Sequence, residues 1–194
     1  MFLSFKNKAT ALPKMFGMAL LYVLSGQASA ADVAANALPT NGQVVAGSAT
    51  ISHDASAPVL NVNQTSQRAV VNWQSFDVGS NATVNFNQPN AQASTLNRIG
   101  NGAASKIMGQ IKAPGEVILM NNDGVYFGKD SKVDVGAVVA TSHTISNEDY
   151  MAGKSTYDRN GATGAVINDG NIKTSLAGYV ALLAPEVRNN GVIV

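Results

Sequence analysis

The residues that most often carry chemistry are few in this sequence, and they stand apart from one another. The 194 residues include no Cys and two His, His53 and His143, and neither His lies in an HExxH or paired-His motif. Asp130 and Asp134 lack the spacing of a calcium loop, and Glu116 is isolated from the second carboxylate that glycoside hydrolysis requires. We therefore predict that the chain is not an enzyme and holds no metal or cofactor.

Phosphate and nucleic acid are not expected as ligands either. Gly100–Lys106 is glycine-containing, but it lacks the Gly-Lys-Ser/Thr ending and the following helix of a phosphate loop. The 13 basic and 12 acidic residues give a net charge of +1 without a basic stripe, so nucleic acid is excluded as a partner. Charged residues make up only 13% of the chain, against about 25% in typical domains, which argues against coiled coils and charged bundles.

The first thirty residues have the three parts of an export signal. Lys6, Lys8 and Lys14 precede the apolar run Met15–Leu24, and the small-residue ending Ala28–Ala30 follows. The apolar run is about half the length that spans a bilayer. We predict a signal peptide over residues 1–30, cleaved after Ala30, and a mature domain over 31–194 with a net charge of about −2.

The lack of Cys is informative in an exported protein, because export leads to compartments in which disulfides form. Two explanations fit. A domain of this size has no need of disulfides, or the chain must stay unfolded and threadable after export, which an early disulfide would prevent.

The sequence predicts that the elements which position any functional residue are short strands. Apolar residues alternate in short runs such as Leu60/Val62 and Val84/Phe86, and the runs end at Gly, Asn, Asp or Pro. Trp73 and Phe76 are predicted to lie in the core. The polar segment 147–162 is predicted to be a loop or excursion, and 31–37 a mobile N-terminus.

A repeat in the C-terminal part favours a β-solenoid. Residues 166–172 and 187–193 share the pattern V-x-N-[DN]-G-x-I at an offset of 21 residues. One such coil cannot be stable alone, but stacking pairs its backbone and covers its apolar face. Asn and Gly suit the corners because both tolerate positive φ, and stacked Asn side chains can form ladders. The upstream strands taken alone do not exclude a sandwich or barrel with chance Asn-Gly turns.

Several separate blocks, in order from Leu38 to Thr144, resemble the filamentous haemagglutinin N-terminal domain, the secretion domain of two-partner secretion (TPS) exoproteins. The blocks are 38–47 (LPTNGQVVAG), 64–76 (QTSQRAVVNWQSF), 84–90 (VNFNQPN), 96–99 (LNRI), 107–111 (IMGQI) and 115–128 (GEVILMNNDGVYFG). The resemblance implies an all-β fold, a right-handed parallel β-helix with an N-terminal capping region.

The same resemblance implies a route and a partner. Such exoproteins cross the inner membrane with a signal peptide and are bound unfolded in the periplasm by the POTRA domains of an outer-membrane β-barrel transporter. Coil-by-coil folding outside the cell is a reasonable driving force for export. The chain is then expected to be the secreted N-terminal part of a longer Gram-negative adhesin or haemagglutinin, whose C-terminal passenger binds host or bacterial surface receptors.

Transporter recognition is predicted for two patches of the resembling region. The family has an Asn-Pro-Asn-Gly turn where this chain has Asn-Asn-Asp-Gly, and Asn and Asp also form turns. We expect an extended segment of this chain to add to a POTRA sheet edge by β-augmentation. The alternative for both patches is a plain corner of the solenoid. The candidate residues are Asn121, Asn122, Asp123 and Gly124 in the first patch, and Gln88, Pro89 and Asn90 in the second.

Two rival functions belong to different classes. A free-standing carbohydrate- or matrix-binding module would need an exposed aromatic or acidic groove, and the chain has one Trp and few other aromatic residues. A solenoid lyase or glycosidase would need clustered acids or bases on one face, and the sequence shows no such cluster.

Overall fold

The computed structural model describes residues 33–100 and 102–194. The strands and the helix in this part are β1 (Gln43–Ala46), β2 (Ala49–His53), β3 (Val59–Gln64), β4 (Arg68–Trp73), β5 (Thr83–Asn87), β6 (Ser94–Ile99), β7 (Ser105–Ile107), β8 (Gln110–Lys112), β9 (Glu116–Asn121), β10 (Val125–Phe127), β11 (Lys132–Val135), β12 (Ala137–Thr141), α1 (Asn147–Met151), β13 (Val166–Asn168), β14 (Asn171–Thr174), β15 (Val180–Leu183), β16 (Val187–Asn189) and β17 (Val192–Ile193).

The strands stack into three sheets that form a β-solenoid of about six turns. Sheet 1 has the order β1-β4-β6-β9-β12-β15, sheet 2 the order β17-β14-β11-β8-β5-β3-β2, and sheet 3 the order β16-β13-β10-β7. Successive coils run from sheet 2 through sheet 1 to sheet 3, and neighbouring coils pair in parallel. The predicted parallel β-helix is confirmed, and the sandwich and barrel alternatives are excluded.

Two antiparallel strands close the N-terminal end of the solenoid. β1 pairs antiparallel with β4, with a bulge between Val44 and Ala46, and β2 pairs antiparallel with β3. Every later coil pairs in parallel with the one before it, so the two antiparallel pairs end the stack of coils at this side. The predicted N-terminal capping region is thus present.

The inner core consists of apolar side chains stacked in columns along the solenoid. In sheet 2, one column is formed by paired residues of five coils, namely Leu60, Val84, Ile111, Val133 and Ile172. All five are at most 4% exposed. Trp73 and Phe76 are also buried, with ring centroids 5.5 Å apart in an edge-to-face arrangement, as the sequence predicted for the core.

The repeat found in the sequence is a pair of stacked corners. Val166 pairs with Val187, Asn168 pairs with Asn189, and the Asn168 Nδ2 donates to the Asn189 Oδ1 at 2.8 Å. Two further Asn pairs on sheet 2 make the same contact, Asn85 with Asn61 at 3.0 Å and Asn87 with Asn63 at 2.8 Å. The predicted amide ladders therefore link neighbouring coils side chain to side chain.

The four central strands of sheet 1, β4, β6, β9 and β12, are largely buried on both faces, and a segment between β12 and β13 packs on their outer face. This segment, residues 144–165, is named the excursion here. Its base is closed by Thr144 and Asp158, whose backbone N–H groups and carbonyl oxygens exchange two 2.8 Å hydrogen bonds. It contains α1, whose first turn is capped by Ser146 Oγ accepting from the Asp149 N–H. The predicted excursion is present, but it is packed and partly helical.

Residues 33–37 were predicted to be mobile, but the structure holds them in place. The carbonyl oxygens of Ala35 and Ala37 accept hydrogen bonds from Asn81 and Gly79, which fixes this segment to a corner of the solenoid. The predicted signal peptide, residues 1–30, lies outside the described residues and stays a prediction. Within the described part, no helix has the length and apolar character needed to cross a bilayer.

Candidate functional site

The first predicted patch is the corner that joins β9 to β10. Asn121 is fully buried there, and its Nδ2 donates to the Ala103 carbonyl at 2.9 Å and to Ser105 Oγ at 3.0 Å. Its Oδ1 accepts from the Asp123 N–H at 3.0 Å. Asn121 therefore shapes the turn from inside and offers no surface to a partner.

Gly124 is the second structural residue of this corner. Its φ is +109°, and a Cβ at this position would lie 2.4 Å from the carbonyl oxygen of Ala165 in the next coil. Only glycine combines that conformation with so close an approach. The exposed residues of the turn are Asn122 and Asp123, where the chain departs from the family pattern.

The second predicted patch is the corner between β5 and β6. Gln88 is 9% exposed, and its Nε2 donates to Thr95 Oγ1 at 2.9 Å and to the Glu116 carbonyl at 2.8 Å. Its Oε1 accepts from the Gly115 N–H at 2.8 Å. Gln88 is thus a corner residue that joins two coils. Asn90 caps its own turn, since its Oδ1 accepts from the Gln92 N–H, and Pro89 is exposed.

The two patches do not form one surface. Sheet 1 pairs Ser94 with Glu116 at one end of β6 and β9, and Ile99 with Asn121 at the other end. Gln88–Asn90 precedes the first end, and Asn121–Gly124 follows the second. A six-residue strand spans about 20 Å, so a partner would have to cross the whole face to touch both patches.

A cleft of about 480 Å³ opens beside the first patch. Asn122 and Asp123 line it together with Asn72 of β4, Arg98 of β6 and Thr144 of the excursion. The Asn72 Oδ1 is buried without a hydrogen-bond partner among the described residues. Burial lowers the pKa of Arg98 below its usual value.

Residues of the types that bind metal ions do not cluster in the described ranges. No group of three or more His, Cys, Asp or Glu side chains there could hold a metal ion. His53 ends β2 on sheet 2, whereas His143 follows β12 on sheet 1, so the two His belong to different elements.

Sequence reasoning missed a cluster at the other end of sheet 1. It consists of Arg68, Glu116, Tyr150, Tyr157 and Tyr179, which line one small cavity of about 70 Å³. Burial raises the pKa of Tyr150 to about 12 and that of Tyr157 to about 12. The pKa of Tyr179 is also raised, mainly by burial and to a smaller extent by the hydrogen bond to Glu116. The available signal was the presence of two Tyr residues within a segment that is otherwise polar.

The fold defines a class, an N-terminally capped β-solenoid whose candidate corners are built by buried side chains. The TPS secretion domain family matches residues 30–194, and the chain belongs to that family.

Similar proteins agree with this assignment. A heme/hemopexin-binding protein of Haemophilus influenzae strain Rd is 29% identical over 179 residues, which cover 89% of this chain and 20% of that protein. A second Haemophilus influenzae protein of that name is 31% identical over 144 residues, covering 72% of this chain and 15% of its own length. This chain therefore corresponds to about a fifth or less of these relatives.

A solved structure supports the fold directly. The HMW1 secretion domain from Haemophilus influenzae superposes with a TM-score of 0.73 at 29% identity, covering 80% of this chain and 41% of that one. The chain is a TPS secretion domain, a module of exported two-partner secretion exoproteins that work with an outer-membrane transporter.

Proposed function

We propose that this domain is recognised in the periplasm by the POTRA domains of its outer-membrane transporter and nucleates solenoid folding once it is outside the cell. The observation that supports this most directly is the family match over residues 30–194. We further propose that the full exoprotein is an adhesin or haemagglutinin, whose receptor-binding part lies beyond this domain and makes it a virulence factor.

Within the candidate patches, we assign partner contact to Asn122, Asp123 and Pro89. These side chains are exposed, whereas Asn121, Gly124 and Gln88 are engaged in building their corners. Substituting Asn122 and Asp123 should therefore alter recognition by the transporter and leave the solenoid fold intact.

Export assays in a Gram-negative host that carries the cognate transporter test this proposal. Deleting 38–144 should abolish release into the medium, and export that survives the deletion would refute the secretion role. Asn122→Ala with Asp123→Ala should reduce release about tenfold. Lys129→Ala with Asp130→Ala is the matched control, because these residues form an exposed turn at another corner. Equal release from both double variants would refute the assignment to Asn122 and Asp123.

A further inference from the structure

The excursion packs into an apolar cluster that four successive coils share. Ile145 and Tyr150 are 4% and 1% exposed, and they belong to a second apolar cluster on the outer face of sheet 1. The strand residues of this cluster come from β4, β6, β9 and β12 and are Val70, Leu96, Ile118, Met120 and Val139. This one cluster thus includes strands that lie between residues 68 and 141 of the chain.

Polar contacts attach the excursion at two points of the same face. The Arg98 Nη2 donates to the Ile145 carbonyl at 2.6 Å and to Asn147 Oδ1 at 2.8 Å. The Tyr150 hydroxyl donates to Ser94 Oγ at 2.8 Å, and the Arg68 guanidinium lies 5.2 Å from the centre of the Tyr150 ring. The strands β4 and β6 are therefore held by side chains that come much later in the sequence.

A chain of hydroxyl groups continues from Tyr150 to a still later coil. Ser94 Oγ, which accepts from Tyr150, donates to one carboxylate oxygen of Glu116, and the Tyr179 hydroxyl donates to the other. Tyr179 directly precedes β15, so it arrives one coil after the excursion. Glu116 thereby connects the buried Tyr150 to a residue of the fifth coil.

This arrangement matters because solenoids are quasi-one-dimensional. Each coil ordinarily contacts only its neighbours, so coils can open one after another from an end. A segment that is bound to β4 and β6 and shares one apolar cluster with β9 and β12 adds contacts that are lost together. We propose that the excursion is a latch that makes the coils carrying β4, β6, β9 and β12 open as one unit, and that Tyr179 locks it through Glu116. This inference concerns folding and goes beyond the transporter contact.

Hydrogen exchange followed by mass spectrometry on the purified chain tests the latch. Tyr150→Phe removes the hydroxyl and keeps the packed ring. We expect exchange to accelerate about tenfold in peptides over 145–152, and by a similar factor in β4 and β6. Tyr126→Phe is the matched control, because its hydroxyl also joins neighbouring coils, donating to Asp169 Oδ2 at 3.0 Å, but it lies outside the excursion. Its effect should be confined to the region around β10 and β13.

Two outcomes would overturn the latch. In the first, Tyr150→Phe accelerates exchange in the excursion alone and leaves β4 and β6 unchanged. In the second, Tyr150→Phe and Tyr126→Phe accelerate exchange alike throughout, which would mean that the solenoid is cooperative without the excursion.

The lock is tested separately by Tyr179→Phe. Exchange over 145–152 should become several-fold faster, although residue 179 lies outside the excursion and acts on it through Glu116. Faster hydrogen exchange restricted to β15 would refute the role of Tyr179. The latch itself would then be judged by the comparison of Tyr150→Phe with Tyr126→Phe.

Discussion

Two adjacent asparagines of one turn have opposite roles. Asn121 is buried and donates hydrogen bonds to Ala103 and Ser105 of the preceding coil, whereas Asn122 is exposed and lines the cleft. Residue type cannot distinguish them, because both are turn-forming amides. The distinction comes from the coil stacked beside the turn, so candidate recognition residues have to be selected by exposure.

Gly124→Ala should destabilise the chain by more than backbone strain alone. A left-handed conformation in a non-glycine residue costs about 1–3 kcal/mol, and the Cβ would also press on the Ala165 carbonyl at 2.4 Å. Gly161→Ala is the control, since its φ is +76° and nothing lies within 4 Å of the added Cβ. Urea titration should show the larger loss of unfolding free energy at 124, and equal losses would contradict this account.

Tyr150 should make stability fall at alkaline pH. Its pKa is raised by burial to about 12 in the folded chain, against about 10 when unfolded. Below pH 10 both states hold the proton, so titration of Tyr150 does not change stability there. Between pH 10 and about 12 the unfolded state loses the proton first, and stability drops by about 1.4 kcal/mol per pH unit. The stability difference between the wild type and Tyr150→Phe should narrow accordingly, and a difference that stays constant over this range would contradict the prediction.

At the scale of the elements, the amide ladders act through their buried members. Asn168 is fully buried, donates to Asn189 and accepts from the Gly170 N–H at 3.1 Å, whereas Asn189 is exposed. Asn168→Ala leaves the buried Gly170 N–H unpaired and should cost about 1–3 kcal/mol. Asn189→Ala removes an exposed side chain, so water can replace it as the acceptor for Asn168 Nδ2, and the cost should stay under about 1 kcal/mol. Thermal unfolding of both variants checks this, and similar losses would show that the ladder bond itself dominates.

The strands could be predicted from sequence and the excursion's packing could not. Alternation at Leu60/Val62 and the repeat at 166–172 and 187–193 report inner-core positions and coil stacking, and both depend on local pattern. Tyr150 meets Ser94, 56 residues earlier, through a contact that no local period encodes. The cluster around Glu116 was missed for the same reason, because its members come from three coils and the excursion.

For the molecule as a whole, the latch predicts cooperative unfolding of the N-terminal coils. The only Trp, Trp73, lies in β4 with its Nε1 bonded to Asn97 Oδ1 at 3.0 Å, so its fluorescence reports on the first coils. Fluorescence and far-ultraviolet circular dichroism should change at the same urea concentration in the wild type. In Tyr150→Ala, the urea midpoints measured by fluorescence and by circular dichroism should differ. Coincident midpoints in that variant would argue against the latch.

The orientation of the backbone hydrogen bonds has a mechanical consequence. In a solenoid these bonds run along the axis, so a force that draws the chain away by its C-terminal end loads them a few at a time, as a zipper is opened. β17 and β16 are short and exposed and should yield first, at low force. Unravelling should then halt at the excursion, where an apolar cluster shared by four coils must break as a whole. A single molecule held under tension is thus expected to lengthen in small steps, pause, and then release its remaining coils in one large extension.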